Sequence, residues 1–87
     1  MKDLIKYLDL SKKLDNKKEE LAKVSAELKN VDSAIEKIEF FDVLGDVAST
    51  IYKYWDALNK KEKILKYAIA KLELEIARFE LDQAYAE

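Results

Sequence analysis

The sequence predicts an all-α protein: a long antiparallel helical hairpin, coiled-coil-like along its seam, that pairs with a second copy into a four-helix bundle. Three observations carry that prediction. Apolar residues recur in a seven-residue frame through both halves of the chain. The 87 residues contain no proline and a single glycine, Gly45, near the midpoint, so the chain has one obvious place to bend. Finally, the order of acidic and basic stretches in the first half is reversed in the second. The whole chain, residues 1–87, reads as one helical domain.

The first helix is predicted over about residues 2–40. Taking Leu14, Leu21, Leu28 and Ile35 as position a puts Val24, Val31 and Ile38 at position d, a continuous seam from Leu21 onward. Tyr7 and Leu10 extend the frame backwards, with Lys17 interrupting it. Leu4, Ile5 and Leu8 broaden the apolar surface at the N-terminal end, where they are expected to pack against the second helix.

The bend is predicted over about residues 41–46, inside the aromatic-rich stretch from Phe40 to Trp55. Gly45 is expected to take the positive φ that ends the first helix, and Asp46 to cap the second. Phe40, Phe41, Leu44, Tyr52, Tyr54 and Trp55 exceed what one seam layer can bury. They are candidates either for docking a partner protein, with Trp55 and Tyr52 as anchors, or for a plug that seals the end of the bundle.

The second helix is predicted over about residues 47–86. Ile51, Leu58, Leu65, Leu72 and Phe79 share position d, and Trp55, Ile69 and Ile76 share position a, with Glu62 and Gln83 as polar interruptions. This helix carries another stripe, Ile64, Tyr67, Leu74, Leu81 and Tyr85, helped by Ala70 and Ala77, on the side away from that seam. A helix that is apolar on two faces needs two partners. These five residues are therefore the candidates for self-association, and a homodimer is expected.

Charge supports the antiparallel pairing. Residues 12–18 are basic and 27–46 acidic, whereas 53–71 are basic and 73–87 acidic, so folding back at Gly45 sets opposite signs side by side at both ends. A second architecture remains open. Asn16-Lys17-Lys18-Glu19 and Asn59-Lys60-Lys61-Glu62 each have the form of an N-cap followed by an acid at N3. Helices broken near Asp15 and Asn59 would give a compact three- or four-helix monomer instead.

Composition excludes most chemistry. Without histidine or cysteine the chain lacks the usual general base near neutral pH, the thiolate nucleophile and the common transition-metal ligands. Its four serines have no imidazole to activate them. Carboxylate pairs such as Glu36 with Glu39, or Glu73 with Glu80, are coincidences expected where eighteen acids line helix surfaces. No enzymatic activity, cofactor or metal is expected.

A net charge of −2 provides no overall attraction to nucleic acid. The Lys60–Lys71 face is the one stretch that could contact phosphates, and it is the alternative reading to a protein-interaction module. An interfacial role for Leu4, Ile5, Tyr7 and Leu8 at a membrane is disfavoured against packing, and no run approaches the roughly twenty apolar residues of a spanning helix. The expectation is a cytoplasmic protein-protein interaction module, of the kind that phages, viruses and plasmids carry as small accessory or inhibitory proteins.

Overall fold

Two helices, α1 (Lys2–Phe41) and α2 (Asp46–Ala86), fold back on one another in the computed structural model, which describes residues 2–86. No strand occurs among the described residues. The hairpin is a rod of 65 × 17 × 16 Å. At 1.5 Å per residue, a helix of forty residues spans about 60 Å, so neither helix bends back within its own length.

The compact three- or four-helix monomer is therefore not the fold: both helices run unbroken through Asp15 and Asn59. The physical reason is visible at Asn59. Its side-chain Nδ2 donates to the backbone carbonyl of Trp55 at 3.0 Å, one turn back within the same helix, so it does not cap a new one. Asn16 lies exposed on the middle of α1.

The seam follows the seven-residue frame. Leu10, Val24, Leu28, Val31 and Ile38 of α1 are buried together with Ala48, Leu58, Leu65 and Ile69 of α2. Val24, Leu28, Val31, Leu58 and Leu65 form the central cluster, with Leu21, Ile35 and Ile51 packed against it half-buried. Toward the open end, Tyr7 packs on Phe79 at 5.9 Å between ring centroids. Ala48 sits one heptad before Trp55, at position a, and extends the seam to the bend. Even Leu65, the best-buried core residue, keeps 4 % of its surface in solvent.

At the bend the two helix ends are closed by different residues from those the sequence suggested. The amide of Val43 donates to the carbonyl of Ile38 at 3.0 Å, and that of Asp42 to Glu39 at 3.4 Å. Asp42 has φ 53°. This is the Schellman arrangement, with Asp42 as the left-handed residue after the helix. Gly45 also has positive φ, 96°, but its carbonyl accepts from the Ser49 amide at 3.0 Å, which makes it the N-cap of α2. Asp46 falls in the first turn, where its carboxylate favours the positive end of the helix dipole.

Charge complementarity between the helices does not take the form of ion pairs. Among the described residues the salt bridges lie within one helix: Lys13 with Asp9 at 3.2 Å, Lys17 with Glu20 at 3.7 Å, Lys60 with Asp56 at 3.0 Å, and Lys66 with Glu62 at 3.4 Å. All but the half-buried Glu62 lie open to solvent, and exposed pairs contribute about 0 to 1 kcal/mol each. The opposed charge blocks act as a field that favours the antiparallel direction, while the seam holds it.

Candidate functional site

Three apolar surfaces lie open, one along the outer side of α2, one at the bend and one on α1 at the open end. On α2, residues seven apart return to nearly the same face, so Tyr67, Leu74 and Leu81 line up on the side opposite the α1 seam. Leu74 is 51 % exposed, Leu81 54 %, and Ile64, Tyr67 and Tyr85 more than either. Ala70, Ala77 and Ala84 are exposed between them. The five self-association candidates therefore share one uncovered strip on the C-terminal half of α2.

The six docking candidates divide into two groups. Phe40 and Leu44 are each 81 % exposed, and Phe41, Val43 and Val47 lie open around them. Phe40 and Phe41 meet edge to face, with ring centroids 4.9 Å apart. Within the hairpin itself this cap seals nothing, because the seam already closes at Ile38 and Ala48. Glu36, Glu39, Asp42 and Asp46 rim it with negative charge, against Lys37.

Tyr52, Tyr54 and Trp55, still 40 %, 47 % and 37 % exposed, also reach across to α1. The Tyr52 hydroxyl donates to Glu39 at 3.4 Å, the Tyr54 hydroxyl to Glu27 at 3.2 Å, and the Trp55 indole N–H to Asp32 at 2.9 Å. Ser25 of α1 donates in the other direction, to Glu62 of α2 at 3.1 Å. These are donors of α2 set on carboxylates of α1, with one reciprocal bond, and they run from near the bend at Tyr52 to the middle of the rod at Glu62. Withdrawal of water raises the Tyr52 and Tyr54 phenols from their ordinary value. The Glu39 and Glu27 carboxylates beside them push in the same direction.

At the open end, Leu4, Ile5 and Leu8 do not pack against α2. Each is more than half exposed, because in a two-helix rod their outer positions have no neighbour. A shallow cleft of about 300 Å³ lies nearby, lined by Lys6, Leu10, Glu75, Arg78, Phe79 and Asp82. A second, of about 180 Å³, lies beside Trp55 and Tyr52. The first cleft carries both signs of charge, and among the described residues no three acidic side chains cluster as a metal site would require. No helix is long and apolar enough to cross a membrane, among the residues described.

On the Lys60–Lys71 face, Lys60 and Lys66 are each paired with a carboxylate one turn earlier on the same helix. This is different from the expected pairing with acids of the first helix, and it leaves a face of mixed charge. Comparison with known proteins gives no match: no family model fits the sequence, and no curated protein and no solved structure matches it.

Proposed function

We propose that this chain is a non-enzymatic helical interaction module that self-associates through the outer face of α2. The observation that carries the reading is the strip formed by Ile64, Tyr67, Leu74, Leu81 and Tyr85, each at least half exposed and all on the face away from α1. Contiguous apolar surface of this kind marks interaction sites on soluble proteins. The absence of histidine and cysteine supports the non-enzymatic part of the reading.

Sedimentation equilibrium tests it. The wild-type chain is expected to show a mass that rises with concentration from one copy toward two, and the Leu74→Lys, Leu81→Lys double variant to remain a monomer with unchanged helical content. A wild-type monomer at millimolar concentration would overturn the reading.

A second reading is carried by the tip, where Phe40 and Leu44 are the most exposed large residues of the bend. It is a docking surface for a protein whose apolar pocket has a basic rim, complementary to Glu36, Glu39, Asp42 and Asp46. Tyr52 and Trp55 keep 40 % and 37 % of their surface open beside it while their polar atoms reach Glu39 and Asp32 of α1. Phe40→Ser with Leu44→Ser is expected to leave stability within about 0.5 kcal/mol of wild type. A larger loss in thermal melts would make the cap a structural element. Nucleic-acid binding through Lys60–Lys71 has less support, because Lys60 and Lys66 are paired within α2.

A further inference from the structure

The uncovered strip on α2 has an internal order that says more than that it is apolar. Tyr67, Leu74 and Leu81 recur every seven residues, and Ala70, Ala77 and Ala84 recur every seven residues three places later. Large and small residues thus alternate at spacings of three and four, a second heptad frame on the face opposite the α1 seam. We propose that the occupant of this frame is the α2 helix of a second copy, running antiparallel, with the two-fold axis between Leu74 and Ala77. The inference rests on the self-association reading and adds direction and register to it.

Shape is the first argument. An antiparallel two-fold at that point sets Leu74 against Ala77, Ala70 against Leu81, and Tyr67 against Ala84 of the second copy. Every layer then holds one large and one small side chain, so the helix separation is the same along the contact and no layer is left hollow. In-register parallel pairing would alternate Leu-on-Leu with Ala-on-Ala layers, which demand different separations.

The second argument is where the apolar frame stops. Toward the bend the same two helix positions hold Lys53, Asp56, Lys60 and Lys63, all exposed. The antiparallel overlap covers only the C-terminal halves and leaves these charges in water. A parallel pair would run Lys60 and Lys63 of both copies along the axis.

The flanks carry a recognisable electrostatic signature. Lys71 and Arg78 edge one side of the frame, and Glu73 and Glu80 the other. In the antiparallel pair Lys71 comes beside Arg78 of the second copy, and Glu73 beside Glu80. Like charges meet on both edges. In a parallel pair Glu73 would face Arg78. The antiparallel dimer is accordingly one that salt strengthens, and the opposed edges together with a contact of only about 27 Å make it dissociate on dilution.

Two measurements on the full chain test this. With Ser49→Cys labelled by a donor or an acceptor dye, the antiparallel dimer places the two dyes about 80 Å apart, whereas a parallel one brings them within about 30 Å. Arg78→Glu sets the introduced carboxylate of one copy beside Lys71 of the other in the antiparallel pair, and association is expected to tighten about tenfold at low salt. In a parallel pair the same change opposes Glu73 and weakens association.

A dimer with close dyes that Arg78→Glu loosens would overturn the antiparallel register while leaving self-association intact. A monomer at millimolar concentration would overturn both. A dimer unaffected by Leu74→Lys with Leu81→Lys would place the contact elsewhere and overturn the proposal as well.

Discussion

Replacing Leu65 with alanine probes the seam where it is densest. Leu65 is 4 % exposed and sits in the cluster with Val24, Leu28, Val31 and Leu58. The change deletes three carbons, and at about 0.8 kcal/mol per buried methylene-sized group the transfer loss is about 2.4 kcal/mol. A cavity term ordinarily adds to this, bringing leucine-to-alanine losses to about 2–5 kcal/mol.

Here the cavity would lie one side chain from water in a rod 16 Å thick, so the walls can close on it and the added cost is small. The expected loss is about 2–3 kcal/mol, the lower part of that range. For a domain of this size it corresponds to a fall in Tm of about 10–20 °C. The assay is thermal unfolding followed by far-ultraviolet circular dichroism, with wild type and variant at one protein concentration so that any self-association cancels. A loss below about 1 kcal/mol would show that Leu65 does not face α1, and would refute the helix register on which the other assignments depend.

The bend makes a paired prediction: Asp42→Gly is expected to stabilise the hairpin by about 0.5–1 kcal/mol by relieving the left-handed backbone at φ 53°. Gly45→Ala is expected to destabilise it by about 1–2 kcal/mol, because φ is 96° although no atom lies within 4 Å of the added Cβ. Denaturant titration reads both, and an unchanged midpoint for either would remove its residue from the turn geometry. Tyr52 and Tyr54 have folded-state phenols raised by lost solvation and by Glu39 and Glu27, so their contribution is complete below the ordinary tyrosine value of about 10 and is lost as pH rises through the raised values. The Tyr52→Phe, Tyr54→Phe variant is expected to lose less stability than wild type as pH rises above about 10, and equal slopes would show that the two hydroxyl contacts carry no stability.

Much of the hairpin is legible in the order of the residues because its seam depends on one simple geometric condition, recurrence at spacings of three and four. Leu10, Val24, Leu28, Val31 and Ile38 meet it on one side, and Leu58, Leu65 and Ile69 on the other. Ala48 satisfies the same condition but is too small to stand out as apolar. The cap was harder to place, since a lone glycine draws attention to itself while aspartate, which also tolerates the left-handed region, is common in helices everywhere.

The aromatic side chains of the bend are legible only in part. Tyr52, Tyr54 and Trp55 counted as surplus apolar mass beside Phe40 and Phe41, yet each carries a donor, and what placed them was the carboxylate available one helix away. The outer strip on α2 was visible from the same spacing rule as the seam. Its partner could not be, because periodicity specifies a face and leaves open what comes to cover it.

The continuous hairpin also fixes the order in which contacts become accessible to the unfolded chain. Ile38 and Ala48 are joined by a short loop, whereas Tyr7 and Phe79 close almost the whole chain, and the entropy lost on closure grows with loop length. Contacts near the bend therefore form first and those at the open end last, so the rod closes like a zipper and frays from its far end. Amide hydrogen exchange should register that gradient, slow beside Val31 and Leu58 and fast toward Lys6 and Leu81. A second copy seated across Leu74 and Ala77 would clamp the end that the topology leaves weakest, and protection there would then rise with protein concentration while protection near the bend stayed constant.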